Sequence, residues 1–149
     1  LPPAALGPEG PLAPLRVLAD VQKLENLVVA QQDIARLTFK SNAFDVIYAH
    51  LSLHFFTDKA TKRIFTQLQG LLKRGGLLFV KCKSTDDALY GRGRMLERNI
   101  YLFRGHIRHF FDADYMSALL VKFSTVKIRK SSSFYHSYKS SFIEAIAKK

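Results

Sequence analysis

Short apolar runs alternate along this chain with stretches at helical spacing, a pattern that predicts an α/β fold. Leu15, Val17, Leu18, Val21 and Leu24 share one helical stripe, which predicts an amphipathic helix from Leu15 to Leu24 that Asn26 can end. Leu27 to Ala30 reads as a short buried strand and Gln31 to Leu37 as a loop. Phe44 to Ala49 reads as a second strand, β-branched and aromatic with few charges, as expected where helices cover both faces of a sheet. Thr57-Asp58 supplies a hydroxyl cap and an acid suited to the positive end of a helix. Ile64, Phe65, Leu68, Leu71 and Leu72 then form its apolar stripe. Lys73 and Arg74 suit its negative end and Gly75-Gly76 stop it. Leu77 to Cys82 reads as a third strand, parallel to the second because a helix joins them. Ser84 to Phe111 is less regular, with a short helix expected within Leu89 to Phe103. A helix over Asp112 to Leu120 follows. Strands over Phe123 to Arg129 and Phe142 to Ala147 are joined by a Ser/Tyr/His/Lys loop from Lys130 to Ser141. No repeat is visible. Leu1 to Pro14, rich in turn residues, reads as a loose arm, leaving residues 15–149 as one domain.

Composition narrows the class. The 149 residues are 48% hydrophobic with a mean hydropathy of −0.02, enough for a buried core and too polar for a membrane span. The first residues lack the basic segment of a secretory signal. The chain begins with Leu rather than Met, which suggests a fragment or a processed product. Cys82 lies within an apolar strand and reads as a small core residue in a reducing cytoplasm. The net charge is +11, with 14 Lys/Arg against 6 Asp/Glu in residues 76–149. A solvated basic face accounts for this; a nucleic-acid surface is the alternative, although no Lys-rich run or nucleic-acid module supports it.

In order and spacing, several segments together resemble the back two-thirds of a class I S-adenosylmethionine-dependent methyltransferase. They are Gln32-Asp-Ile-Ala-Arg-Leu-Thr-Phe39, Phe44-Asp-Val-Ile-Tyr-Ala-His-Leu-Ser-Leu-His54, Leu71-Leu-Lys-Arg-Gly-Gly-Leu-Leu-Phe-Val80 and the terminal strand pair. Lys81 to Asp87 and Gly105 to Phe111 resemble the bacterial small-molecule enzymes, including the tellurite-resistance type. The resemblance implies a partial Rossmann-like sheet of parallel strands and helices with a C-terminal antiparallel strand. It also implies S-adenosylmethionine as cofactor and a small-molecule methyl acceptor. The cofactor residues it implies are Asp33 for the adenine amine, Ile34 against the ring, and Ala49, His50 and Leu51 at the methionine and methyl end.

Catalytic candidates are His54, Arg108 and His109. A histidine after the fourth strand of the family fold can orient an acceptor or take its proton, since its ordinary pKa lies near neutrality. His50 and His54 stand four apart, but the strand-to-loop context argues against a metal pair. Arg108 and His109 read as substrate-facing or as a surface arginine beside core aromatics. If Phe123 to Arg129 runs parallel to the other strands, Tyr135, His136, Tyr138 and Lys139 overhang the same edge.

One departure is plain. The family's acidic, glycine-rich first turn holds the cofactor's carboxylate at a helix start, and no segment here fits it. Leu6-Gly-Pro-Glu-Gly-Pro has two prolines and no preceding strand, and Asp20 lies too close to Asp33 to serve the ribose. Roughly the first βαβ is absent from this sequence. The expectations are weak or no cofactor binding by this chain and an unpaired sheet edge open to self-association. The alternative is a non-catalytic methyltransferase-like protein that binds RNA or a protein through its basic surface.

Overall fold

The structure, a computed structural model, describes residues 15, 18, 20, 22–135 and 138–149. The chain divides into two compact units, Leu1–Thr38 and Phe39–Lys149.

In the first unit, Leu15, Leu18 and Asp20 are helical, and Gln22 N donates to Leu18 O at 3.0 Å. Residues 27–30 form no strand, contrary to their apolar pattern, and Val28 is 89% exposed. A strand is stable only beside another, and these residues pair with none among those described. A short 3-10 helix, Ile34–Arg36, follows, capped by Asp33, whose Oδ1 accepts from Ala35 N at 2.9 Å.

The second unit is built on a four-stranded sheet. Its strands are β1 (Phe44–His50), β2 (Leu72–Lys83), β6 (Thr125–Tyr135) and β7 (Tyr138–Lys148), in the order β1-β2-β7-β6. β1 and β2 are parallel, with Ile47 opposite Leu78 and Ala49 opposite Val80. β7 is antiparallel to both its neighbours, so β6 runs parallel to β1 and β2.

Helix α1 (Asp58–Leu71) crosses between the first two strands, capped by Thr57, whose Oγ1 accepts from Ala60 N at 3.4 Å. Its Thr61, Ile64, Phe65, Leu68 and Leu71 are buried. Strand residues Ala49, Leu78, Val80, Cys82, Ile143, Ala145 and Ala147 supply the sheet's side of the core. Burial also pushes the Cys82 thiol far above its ordinary pKa, which makes it an inert core residue. Helix α2 (Ala113–Leu119) adds Met116. The opposite face does not follow the expectation of cover on both sides: Val46, Tyr48 and Ile146 are 53%, 71% and 44% exposed.

Lys73 and Arg74 lie beyond α1, in β2, instead of in its last turn. Lys73 pairs with Asp45 at 2.8 Å. Gly75 and Gly76 likewise belong to β2. Gly75 takes a φ of +79°, and a Cβ on Gly76 would meet Lys73 O at 2.9 Å and Asp45 O at 3.0 Å. Gly76→Ala is therefore expected to lower stability by about 1–3 kcal/mol, since backbone must shift to admit the methyl; the midpoint of urea unfolding measures it.

No helix forms within residues 94–103. Strands β3 (Arg94–Glu97), β4 (Ile100–Phe103) and β5 (His106–His109) make a second, antiparallel sheet. Its two hairpin turns explain the difference. Asn99 has φ +62°, and Arg104 and Gly105 have φ +50° and +80°, the left-handed pair that suits a two-residue hairpin. The expected loop from Lys130 to Ser141 is also largely strand: β6 and β7 stay in register out to Tyr135 opposite Tyr138.

Candidate active site

The carboxyl ends of parallel strands are where open α/β sheets hold ligands. Here β1 ends at His50, and Leu51 takes a φ of +55°, a conformation that costs a bulky residue energy. Its N–H is pinned to Lys81 O at 2.9 Å. The turn sends the chain across the end of the sheet and buries Leu53 and His54.

His54 and His109 are brought together. His109 N donates to His54 O at 3.0 Å, which ties the end of β5 to the loop after β1. Both residues are 2% exposed. Burial lowers each imidazole to a pKa of about 4; for His54, Lys83 and Arg108 push the same way. Both rings are neutral at pH 7. They can orient a bound group by hydrogen bonding but are weak proton acceptors, unlike the free side chain whose pKa suggested a base.

Thr61 Oγ1 donates to Thr57 O at 2.9 Å and lies 3.2 Å from His109 Nδ1. The roles in this contact follow the histidine tautomer, and a hydrogen bond to the Phe56 backbone also holds the His109 ring, favouring its charged form against the larger effect of burial. His109 lines a cavity of about 430 Å³ with Asp58, Asn99, Asp112 and Tyr115. There Tyr115 Oη donates to Asp58 at 2.7 Å. Arg108 precedes His109 in β5, opposite Tyr101. The Arg108 Nε and His54 Nδ1 atoms are buried without a protein partner among the described residues.

Ala49 turns into the core, whereas His50 stacks on Tyr48 with ring centroids 5.9 Å apart. It lines a cavity of about 570 Å³ on the open sheet face with Phe79, Lys81, Glu144 and Ile146. Asp33 and Ile34 stand in the first unit. Tyr138 and Lys139 are exposed near the β6–β7 turn. His136 and the Tyr135 side chain lie outside the described residues.

Residues 13–80 match a family model described as a methyltransferase domain. A solved methyltransferase from Methanosarcina mazei superposes with a TM-score of 0.68 at 20% identity, over 79% of this chain and 65% of that one. The fold is that of the class I S-adenosylmethionine-dependent methyltransferases. The 1,6-didemethyltoxoflavin-N1-methyltransferase of Burkholderia thailandensis, solved with that molecule and S-adenosylhomocysteine, shares the methyltransferase fold with a TM-score of 0.70 at 17% identity. The match covers 91% of this chain and 56% of that one. An N-methyltransferase from Bradyrhizobium japonicum, in complex with S-adenosylhomocysteine, gives 0.61 at 16%, covering 94% and 63%. The chain thus spans 56% to 65% of the length of these three. No curated protein matches it.

Within this methyltransferase fold, one ion pair escaped the sequence reading. At the end of β2, Lys83 Nζ meets Asp87 at 2.7 Å and Ser140 Oγ at 3.0 Å. Asp87 also accepts from Ser141 N at 2.9 Å and Leu89 N at 3.0 Å. The available signal was Lys81-Cys-Lys83 at the end of an apolar run, where a lysine in a strand calls for a partner. The Asp58–Tyr115–Thr61–His109 cluster had no local signal, because its members come from α1, α2 and β5.

Proposed function

We propose that this chain carries the adenine and methyl-acceptor side of an S-adenosylmethionine-dependent methyltransferase acting on a small molecule. The observation that carries the reading is the edge formed by the carboxyl ends of parallel β1 and β2, where Leu51 turns the chain and His54 and His109 meet beside a cavity. A volume of about 430 Å³ is within the ordinary range for small-molecule sites. The methyltransferases that share the fold include two named as N-methyltransferases, which favours a nitrogen acceptor.

The cofactor would supply an electrophilic methyl group. Asp33 has one carboxylate oxygen committed to Ala35 N, leaving the other to accept from an adenine amine, with Ile34 beside the ring. Leu51 and His50 would border the methionine end. His54, Arg108 and His109 would hold the acceptor. Neutral imidazoles at pH 7 suit an acceptor that needs orienting more than deprotonating, so alignment would supply most of the rate.

The basic-surface alternative draws no support from the comparisons. Lys62, Lys73, Lys81, Lys83, Arg129 and Lys130 are each paired with a carboxylate. No described helix is long and apolar enough to cross a membrane.

Nuclear magnetic resonance titration of the labelled chain with S-adenosylhomocysteine tests the reading. Saturable shifts at the Asp33, Ile34 and Leu51 amides are expected, with a Kd on the order of 1 mM because no glycine-rich turn is present. Asp33→Ala should weaken binding by roughly tenfold, the loss of one charge-assisted hydrogen bond. Shifts that leave these amides untouched, or equal binding by the variant, would remove the assigned residues from the cofactor site.

A further inference from the structure

We propose that Tyr115 is a positioning residue of the methyl-acceptor site: its phenol, anchored on Asp58, acts through Thr61 to bias which ring nitrogen of His109 carries the hydrogen. The inference rests on the reading of His109 as facing the methyl acceptor, and it adds to that site a residue from a third element, α2.

Aromatic packing fixes where the imidazole stands. His109 packs against both Phe111 and Tyr115, with ring centroids 4.6 Å and 4.9 Å away and interplanar angles of 51° and 52°. Phe111 and Tyr115 meet edge to face at 5.1 Å and 89°, a favourable arrangement of two rings. These contacts restrain the plane of the imidazole, but they do not distinguish its two nitrogens.

That distinction falls to the polar neighbours. Thr61 Oγ1 is 3.2 Å from His109 Nδ1, and a hydroxyl can serve either tautomer, accepting from Nδ1–H or donating to a bare Nδ1. The outcome depends on where the Thr61 hydrogen goes, and two other oxygens compete for it. Thr57 O accepts it at 2.9 Å, and the Tyr115 phenol oxygen also takes a hydrogen bond from Thr61. The phenol oxygen can accept because its own hydrogen is committed to Asp58, at 2.7 Å. Burial, reinforced by the bond to Asp58 and its charge, pushes the phenol far above its ordinary pKa. It therefore keeps that hydrogen at neutral pH. Asp58 and Thr61 stand three residues apart on α1, the spacing that puts side chains on one face, and Tyr115 reaches both from α2. With Thr57 O, the phenol draws the Thr61 hydrogen away from the imidazole and favours hydrogen on Nδ1. The Phe56 backbone also bonds the ring, so the balance is a sum of contacts, of which the phenol oxygen can be removed alone.

The bias matters because Asp58, His109 and Tyr115 line the same cavity. A neutral imidazole meets a bound group with either an N–H or a lone pair, and that choice decides which group of a methyl acceptor it can hold.

Nitrogen-15 spectra of the histidine rings test the proposal at roughly pH 7.5, where a neutral imidazole shows separate resonances for its protonated and bare nitrogens. Tyr115→Phe keeps the ring packing and removes the oxygen. It should shift the His109 tautomer ratio towards hydrogen on Nε2 by roughly twofold to tenfold, the effect of one neutral hydrogen bond, and leave the His54 resonances in place. Thr61→Val breaks the link, so the double variant T61V/Y115F should match T61V alone. His109 resonances in Y115F identical to those of the parent would overturn the proposal, because a merely structural role for Tyr115 predicts no change in tautomer. So would a further shift on adding Y115F to T61V. Titration with S-adenosylhomocysteine reads the transferase function separately, through the Asp33 and Leu51 amides, so a failure there is distinguishable from a failure here.

Discussion

Acidification from pH 7.5 to 4.5 is expected to remove about 2–3 kcal/mol of stability for each of the two buried histidines, nearly all the reserve of a small domain. His54 and His109 have folded pKa values of about 4 against an ordinary 6.5. The unfolded chain therefore binds protons that the folded chain refuses. Their neutral burial is fully tolerated above pH 6.5, and stability falls as the pH drops from there towards 4. Below that, both states are protonated and the loss levels off. The urea midpoint measured across this range gives the slope. Replacing His109 by glutamine, which keeps a hydrogen bond to Thr61 and cannot titrate, should flatten the curve by roughly half. A midpoint independent of pH between 7.5 and 4.5 would mean that the histidines are hydrated.

Asp87→Ala is expected to cost about 3–5 kcal/mol, because it strips the partner from a charge held out of water. The Asp87 side chain is 1% exposed and that of Lys83 is 14% exposed. The carboxylate also accepts two backbone N–H groups, from Leu89 and Ser141. The alanine variant leaves these donors and the Lys83 ammonium unpaired. Asp87→Asn keeps an acceptor oxygen and should lose less. Removing both ends in Lys83→Met/Asp87→Leu should recover a large part of the loss, since an apolar pair of similar volume is often neutral relative to a buried ion pair. Chemical unfolding of the parent and the three variants measures these differences. An alanine variant within 1 kcal/mol of the parent would show that water reaches the pair.

The elements legible in the sequence were those whose stability is local. The stripe Ile64, Phe65, Leu68 and Leu71 faces the core of α1, with Thr57 capping it. The run from Leu77 to Cys82 lies within β2, and Asp112 caps α2 through Tyr115 N at 2.7 Å. The elements that misled were those whose fate depends on a partner. Leu27 to Ala30 has the composition of a strand but pairs with nothing among the described residues. The region from Leu89 to Phe103 looked weakly helical, yet Asn99 and the Arg104-Gly105 turn close residues 94–109 into hairpins. Ser131 to Ser133 looked like a loop and is held as strand by Ser140 to Phe142 opposite.

The candidate site divides in the same way. Histidines at positions 54 and 109 stood out as residue types, but their meeting through His109 N and His54 O needs β5 to fold back over the loop after β1. Their low pKa values follow from that burial, which overrides what the free side chain would do. His50, two residues from Ser52 in the same segment, parts from them because Leu51 turns the chain through a left-handed conformation.

By itself, the sequence determined the α/β class, the parallel β1–α1–β2 unit, the helical stripes and the absence of a glycine-rich first turn, since periodicity, caps and composition are properties of neighbouring residues. Tertiary structure decided which histidines meet and which lose their charge. It also decided that Lys83 has a buried partner and that Val46, Tyr48 and Ile146 stand exposed on one face of the sheet. Those outcomes depend on contacts between segments far apart in the chain, and on how much water the contacts exclude.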